Sequence, residues 1–233
     1  ERLIGRTDAK IAALRSGAVG AIVFAAVSTS KYIAPTIVAR FQAAHPEMSV
    51  KLVIGNRQEI VRGLESNEFD VLLMGRPPTH VPLESSLLSD HPQIVVAPPD
   101  HALAKKKHLT PSDLVGQRFL SRESGSGTRE LMERFLARVS ARQSLEVVEM
   151  GTNETIKQAV MAGLGIAFLS AHTCVAELSD RKLIVLPVAG LPIVRQWYLI
   201  HRADREVSTA TKIFEDFVLQ NKQQLIPEIP KTR

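Results

Sequence analysis

Apolar positions along the chain follow two spacings, one typical of buried strands and the other of amphipathic helices. Continuous or alternating apolar runs predict strands at 21–27, 50–54, 69–74, 93–97, 119–121, 145–150, 165–169, 183–187 and 196–201. Helical spacing predicts helices near 33–41, 60–64, 127–139, 154–162, 171–178 and 207–220. Strands and helices in regular alternation indicate an α/β fold of parallel strands joined by right-handed crossovers.

The α/β pattern occurs twice, which predicts two subdomains. Gly75-Arg76-Pro77-Pro78 interrupts the first series, and the second series repeats its architecture. We expect subdomain I over 18–93 plus 200–233 and subdomain II over 94–199, joined by two crossover strands. Two such modules suggest a clamshell with a ligand cleft between its lobes.

Residues 1–17 have a different pattern from the α/β series that begins near Gly20. Leu3, Ile4, Ile11 and Leu14 repeat near a helical spacing, and Gly17 is a plausible helix end. We expect this segment to be the end of a helix that continues upstream or packs on a partner, although a frayed terminal helix is the alternative.

Composition and charge exclude several classes of protein. The 233 residues carry a formal charge of +5 and are 45% apolar, which suits a globular protein rather than a disordered one. A single cysteine, Cys174, rules out an internal disulfide and favours a reducing compartment. The longest apolar run, 18–27, is roughly half of what a membrane-spanning helix needs. The small positive excess does not argue for nucleic-acid binding by these residues.

A glycine-rich turn, Ser124-Gly125-Ser126-Gly127-Thr128-Arg129, follows a predicted strand and opens a predicted helix. Backbone N–H groups, the hydroxyls of Ser126 and Thr128 and the helix N-terminus together favour an anion. The turn lacks the lysine of a phosphate-binding P-loop, and Glu130 stands where a dinucleotide fingerprint needs glycine. A glycine turn with ordinary Ser/Thr capping remains the alternative.

Two other polar turns occupy the same position between a strand and a helix. They comprise Ser28, Thr29 and Ser30 in the first series, and Thr152 and Asn153 in the second. The carboxyl ends of parallel strands meet at one sheet edge, where ligands commonly bind. Helix capping without any ligand explains either turn equally well.

Basic side chains lie near these turns. They are Arg57, Arg76, Arg122, Arg129 and Lys157. If some of them converge, the cleft suits a carboxylate or phosphate, since guanidinium binds such groups bidentately. Each one alone is also explained as a surface charge.

Catalytic and metal-binding sets are not evident in the sequence. The seven histidines are scattered and form no metal-ligand motif, and there is no nucleophile elbow. Cys174 lies two positions from His172 and is interpreted as a packed thiol. We therefore expect no catalytic residues, no metal and no cofactor.

Several segments resemble the effector-binding domain of LysR-type transcriptional regulators over residues 18–220. The matching elements are 28–32 with Pro35, Phe41 with His45-Pro46 and 50–55, Phe69-Asp70-Val71 with Gly75, 99–104, 160–166 with Leu169, and 197–199. Tyr32, 122–129 and 153–160 look most like the CbbR-type regulators of carbon-fixation operons.

The resemblance implies a fold, partners and site residues. The fold would be two Rossmann-like subdomains, similar to type 2 periplasmic binding proteins, in a cytoplasmic homodimer or homotetramer. DNA would bind only through a winged helix-turn-helix domain upstream of Glu1, with 1–17 as the end of its linker helix. The effector would be a small anionic metabolite such as a phosphorylated sugar or nucleotide. The residues implied at the cleft by family position are Ser28, Thr29, Ser30, Asn56, Thr128, Arg129, Thr152 and Asn153.

Two other functions remain open on the sequence. A periplasmic solute-binding protein for a small anion has the same two-lobed architecture and would need a signal peptide upstream. An enzyme acting on a phosphorylated metabolite is disfavoured because no acid, base or metal set is found.

Overall fold

The computed structural model describes residues 20–140 and 146–230, so the predicted linker helix over 1–17 lies outside the described residues. Nine strands are described: β1 Gly20–Val27, β2 Met48–Gly55, β3 Val71–Met74, β4 Leu83–Ala97, β5 Arg118–Ser121, β6 Glu146–Glu149, β7 Ile166–Ser170, β8 Ile184–Val185 and β9 Ile193–Arg202. The α-helices are α1 Ala34–Ala44, α2 Arg57–Glu65, α3 Gly127–Ser140, α4 Asn153–Met161, α5 Val175–Ser179, α6 Thr209–Gln220 and α7 Lys222–Leu225. Short 3₁₀ helices span Ser28–Tyr32, Ala102–Lys105, Pro111–Leu114 and Ala171–Thr173.

The chain divides into two compact units, and the first contains four neighbouring strands of the sheet. This unit comprises the described residues up to Ser89 together with Gln196–Ile226. Its strands follow the order β2-β1-β3-β9, with β1 parallel to β2 and β3, and β9 antiparallel to β3. Val27 pairs with Gly55, so β1 and β2 end together at one edge. The turns after these strands therefore begin side by side.

Aromatic packing holds the helices of the first unit on its sheet. Phe214 of α6 lies 5.0 Å from Phe24 of β1 and 4.9 Å from Phe41 of α1, measured between ring centroids. All three side chains are fully buried. Such contacts add to the hydrophobic stabilisation of the core, which accounts for the helical spacing of apolar residues in α1 and α6.

The second unit repeats this topology. It comprises Asp90–Arg195 and the described residues from Pro227 onward. Its strands follow the order β6-β5-β7-β4, with β5 parallel to β6 and β7, and β4 antiparallel to β7. The sequence predicted that 200–233 belongs to subdomain I. In the structure, Ile229 packs on the apolar cluster of the second unit instead.

Alternate residues of the second sheet face different helices. Phe119, Val95 and Phe168 share an apolar cluster with Met132 and Leu136 of α3. On the other face, residues such as Leu120 and Leu169 cluster with residues of α4. Both faces are therefore covered, which explains the continuous apolar runs of β5 and β7 in the sequence.

Candidate functional site

The first polar turn, Ser28–Tyr32, forms a 3₁₀ helix directly after β1. The Ser30 hydroxyl donates to the carbonyl of Val27 over 2.7 Å, and the side chains of Thr29 and Ser30 are buried. Ile33 precedes α1 and offers no capping side chain, so the expectation that these hydroxyls cap the helix is wrong. The tight turn removes them from the start of α1.

Asn56 and Arg57 connect the next two turns of the first unit. Asn56 caps α2, accepting from the Glu59 N–H over 3.0 Å while the Glu59 carboxylate accepts from the Asn56 N–H. Arg57 donates to the carbonyl of Arg76 over 2.5 Å, and the Arg76 side chain is exposed. The structure therefore brings the turns after β2 and β3 together.

The glycine-rich turn of the second unit leads into the fourteen-residue helix α3. Gly125 has a φ of 84°, in the left-handed region that glycine adopts without strain. Ser126 and Thr128, which carry the hydroxyls of this turn, are 3% and 7% exposed. Together with the N–H groups of the first helical turn, they form a set of donors suited to an anion.

Arg122 holds two turns of the second unit together. Its side chain is only 2% exposed and donates two hydrogen bonds of 2.7 Å to the carboxylate of Glu123. It donates a third, of 2.8 Å, to the side-chain oxygen of Asn153. Arg122 is therefore occupied within the protein rather than lying at the surface.

Asn153 and Thr152 mark the start of α4. The Thr152 hydroxyl accepts from the Thr155 N–H over 3.1 Å, which is the capping role that the sequence offered as an alternative. Asn153 is 1% exposed, and its amide nitrogen has no hydrogen-bond partner among the described residues. Asn153 thus keeps an unused buried donor beside the glycine-rich turn.

Arg129 is already paired with carboxylates. It donates to Glu133 one turn along α3 over 2.8 Å and to Glu149 at the end of β6. Hydrogen bonds to these two carboxylates raise the pKa of Arg129. The candidate anion ligand is therefore partly neutralised, and an incoming anion competes with Glu149 and Glu133 for it.

Lys157 lies away from solvent in an ion pair. Its ammonium donates to Glu177 over 2.7 Å, with the two side chains 7% and 15% exposed. Cys174 is buried in the same region, and burial raises the pKa of its thiol to about 11. The interpretation of Cys174 as a packed thiol is confirmed.

Sequence reasoning missed a buried polar pair at the carboxyl end of β7. Gln93 of β4 pairs directly with Ser170 of β7, and the two residues are 2% and 0% exposed. Neither the Gln93 side-chain oxygen nor the Ser170 hydroxyl has a hydrogen-bond partner among the described residues. Two polar residues at the ends of apolar runs were the available signal, but their pairing depends on a register that the sequence does not display.

Two buried histidines lie beside this pair. The rings of His91 and His172 stack with centroids 6.1 Å apart. Burial lowers the pKa of His91 to about 3, with help from His172 and Arg195, and lowers the pKa of His172 to about 4. Both imidazoles are therefore neutral at physiological pH.

Membrane-spanning helices and clustered metal ligands are both missing from the part of the chain that is described. Across 20–140 and 146–230, no helix has both the length and the apolar content to cross a bilayer. Within the same ranges, histidine, cysteine and acidic side chains form no cluster of three or more that could hold a metal ion.

Comparison with known proteins gives one matching family model. The LysR substrate binding domain matches residues 15–223. The HTH-type transcriptional regulator CbbR of Xanthobacter flavus is 47% identical over 230 residues, covering 98% of this chain and 69% of the relative. CbbR of Cereibacter sphaeroides is 39% identical, covering 99% of this chain and 74% of the relative. The expected resemblance to CbbR-type regulators is confirmed.

A solved structure supports the same fold. The regulatory domain of Synechocystis PCC6803 CcmR, determined in complex with 2-PG, is similar with a TM-score of 0.82 and 33% identity. The match covers 88% of this chain and 98% of that domain. The predicted fold class, two Rossmann-like α/β units of the type 2 periplasmic-binding-protein kind, is confirmed.

Proposed function

Because the chain belongs to the LysR-type transcriptional regulators, as their effector-binding domain, we propose that it binds a small anionic metabolite and thereby modulates transcription by its parent protein. The ligand class is a phosphorylated sugar or nucleotide. Differential affinity of this ligand for two conformations of the regulator would supply the regulatory free energy.

One observation carries the proposal for the anion. Ser126 and Thr128 place hydroxyls at the N-terminus of the long helix α3, and beside this turn the buried Asn153 amide nitrogen has no hydrogen-bond partner among the described residues. Buried polar groups usually have a hydrogen-bond partner, so the unused Asn153 donor near this helix N-terminus is suited to an external acceptor. The partial positive charge of the helix end adds to the attraction for a phosphate or carboxylate.

The remaining proposed site residues fall into two groups by their contacts. Residues proposed to touch the ligand directly are Ser28, Thr29, Ser30, Arg76, Ser126, Thr128, Arg129, Thr152 and Asn153. Asn56, Arg57 and Arg122 are proposed to shape the turns, since Asn56 caps α2 and the two arginines connect neighbouring turns. Among the direct ligands, Arg129 must exchange a carboxylate partner for the anion.

The proposal extends to partners and location. We place DNA recognition in a helix-turn-helix domain outside these residues, and we expect a cytoplasmic homodimer or homotetramer that acts on carbon-fixation genes. The names of the CbbR relatives support the assignment to DNA-binding regulators. They also disfavour the alternative of a periplasmic solute-binding protein, and the protein is proposed not to be an enzyme.

Calorimetric titration of the chain tests the anion site. The probes are ribose 5-phosphate, 2-phosphoglycerate and AMP, each beside its unphosphorylated counterpart. We expect binding of a phosphorylated probe, no binding of its counterpart, and about tenfold weaker binding in Thr128→Val through the lost hydrogen bond.

The matched control is Thr209→Val, which removes an exposed hydroxyl from the first turn of α6. We expect it to bind as the unaltered chain does. The proposal fails if no phosphorylated probe binds, or if Thr128→Val and Thr209→Val bind equally well.

A further inference from the structure

The polar pair Gln93 and Ser170, termed the edge pair, lies at the same sheet edge as the start of α3. β5 and β7 run parallel, so Ser170 at the end of β7 lies at the edge from which the glycine-rich turn leaves β5. α3 begins at that edge and packs against β7. The edge pair and the first turn of α3 therefore lie at the same edge of the sheet in the second unit.

The edge pair also faces α3 rather than α4. Val95 and Phe168 pair across β4 and β7 and belong to the apolar cluster of α3. Gln93 and Ser170 lie two residues from them along each strand. Because strand side chains alternate between faces, the edge pair shares the α3 face.

The unsatisfied atoms of the edge pair have a definite chemistry. The Ser170 hydroxyl both donates and accepts hydrogen bonds. The Gln93 amide nitrogen donates to the carbonyl of His91 over 3.4 Å, which leaves its side-chain oxygen as an acceptor without a donor. An unprotonated phosphate or carboxylate oxygen cannot supply that donor, but an alcohol can.

The Arg195 guanidinium acts on His91 beside the edge pair and helps to lower the pKa of that ring, while the two histidines themselves are neutral. His91 and His172 lie beside the edge pair and are uncharged at physiological pH, because burial lowers the pKa of each ring. No ammonium or guanidinium group hydrogen-bonds the Gln93 oxygen or the Ser170 hydroxyl among the described residues. The donors of the glycine-rich turn and of the first turn of α3 lie at the same sheet edge, and α3 packs on the same face as the edge pair.

We propose that the edge pair is a specificity-determining subsite that binds a hydroxyl group of the effector while the first turn of α3 holds its anionic group. This inference rests on the proposed function and narrows the ligand to an anion that carries an alcohol near its charged end. A sugar phosphate or a phosphorylated hydroxy acid has this chemistry, whereas inorganic phosphate does not.

Two phosphorylated acids form a matched pair of probes. 2-Phosphoglycerate differs from 2-phosphoglycolate only by a hydroxymethyl group in place of a hydrogen atom. In calorimetric titration of the unaltered chain, we expect 2-phosphoglycerate to bind about tenfold more tightly, the factor typical of one hydrogen bond that also satisfies a buried polar group. Equal or weaker binding of 2-phosphoglycerate overturns the inference.

Substitutions in the edge pair locate the effect. Gln93→Met and Ser170→Ala should reduce the ratio of the two affinities towards one while leaving the affinity for 2-phosphoglycolate within about twofold. Ser121→Ala is the control, since Ser121 is equally buried on the α3 face of β5 but already donates to the Arg122 carbonyl over 3.1 Å. The Ser121→Ala variant should keep the full ratio of the affinities for 2-phosphoglycerate and 2-phosphoglycolate.

The remaining outcomes separate the inference from the proposed function. An internal water could satisfy the same atoms, in which case the edge variants alter thermal stability and keep the ratio, and the inference is wrong. Equal weakening of both probes by these variants would assign the edge pair a structural role and also overturn it. If neither probe binds, the proposed function fails for small phosphorylated acids and the inference falls with it.

Discussion

Acid should unfold this protein through its two buried histidines. His91 and His172 are 6% and 4% exposed, and burial holds their pKa values at about 3 and about 4 in the folded chain. In the unfolded chain a histidine titrates near pH 6.5. Between these values the unfolded state binds protons that the folded state does not, so stability falls as the pH falls.

The magnitude follows from the same pKa values. Above about pH 7 both states are neutral and the histidines make no pH-dependent contribution. At pH 5, protonation of one histidine in the unfolded state alone favours unfolding by about 2 kcal/mol. The two together remove about 4 kcal/mol, a large part of the stability of an ordinary domain.

Urea denaturation at pH 7.5 and pH 5.0 measures this loss as a difference in the free energy of unfolding. His91→Gln and His172→Gln should each reduce the difference by about 2 kcal/mol, because glutamine takes up no proton. His108→Gln, at an exposed position, is the matched control and should leave the difference unchanged. If His91→Gln and His172→Gln lose as much stability on acidification as the unaltered chain, the reasoning is refuted.

Two further predictions concern stability. Arg122→Ala should lower the free energy of unfolding by about 3 kcal/mol, because it removes the donors that bond the buried Asn153 side chain and the partly buried Glu123 carboxylate. Arg134→Ala at an exposed ion pair should cost less than about 1 kcal/mol, and equal urea midpoints for the two variants would contradict this reasoning. Gly165→Ala should lower the free energy of unfolding by about 2 kcal/mol, because its new Cβ would lie 2.4 Å from the carbonyl oxygen of Arg118. Gly151→Ala is the control, since a Cβ there meets nothing within 4 Å. Thermal melting compares the two variants, and equal melting temperatures would exclude the clash.

Much of the fold follows from spacing along the chain, because local apolar patterns set its elements. The continuous apolar run of β1 and the helical spacing in α1 and α6 predicted those elements directly. β4 was harder, since it begins at Leu83 and its first half is mostly exposed. An exposed strand lacks the apolar pattern that marks a buried one, so only its buried end, 93–97, was predicted.

The site was less predictable because its chemistry depends on distant partners. The glycine-rich turn was visible in sequence, but the burial of Arg122 and its bond to Asn153 depend on how two turns meet in space. Likewise, the partner Glu133 lies one helical turn from Arg129, whereas Glu149 reaches it only through the pairing of β5 and β6. The edge pair could not be foreseen, since it arises from the register of β4 on β7.

The second unit lies in the sequence between two segments of the first unit, and this order has a consequence for biosynthesis. The first unit needs β9 to pair with β3, yet the chain of the second unit lies between them in sequence. During translation, most of the second unit therefore leaves the ribosome while β3 still has an open edge. Until β9 is made, the nascent first unit exposes unpaired backbone that can attract other strands, which makes the late segment Ile193–Arg202 a protective closing strand as well as a structural one.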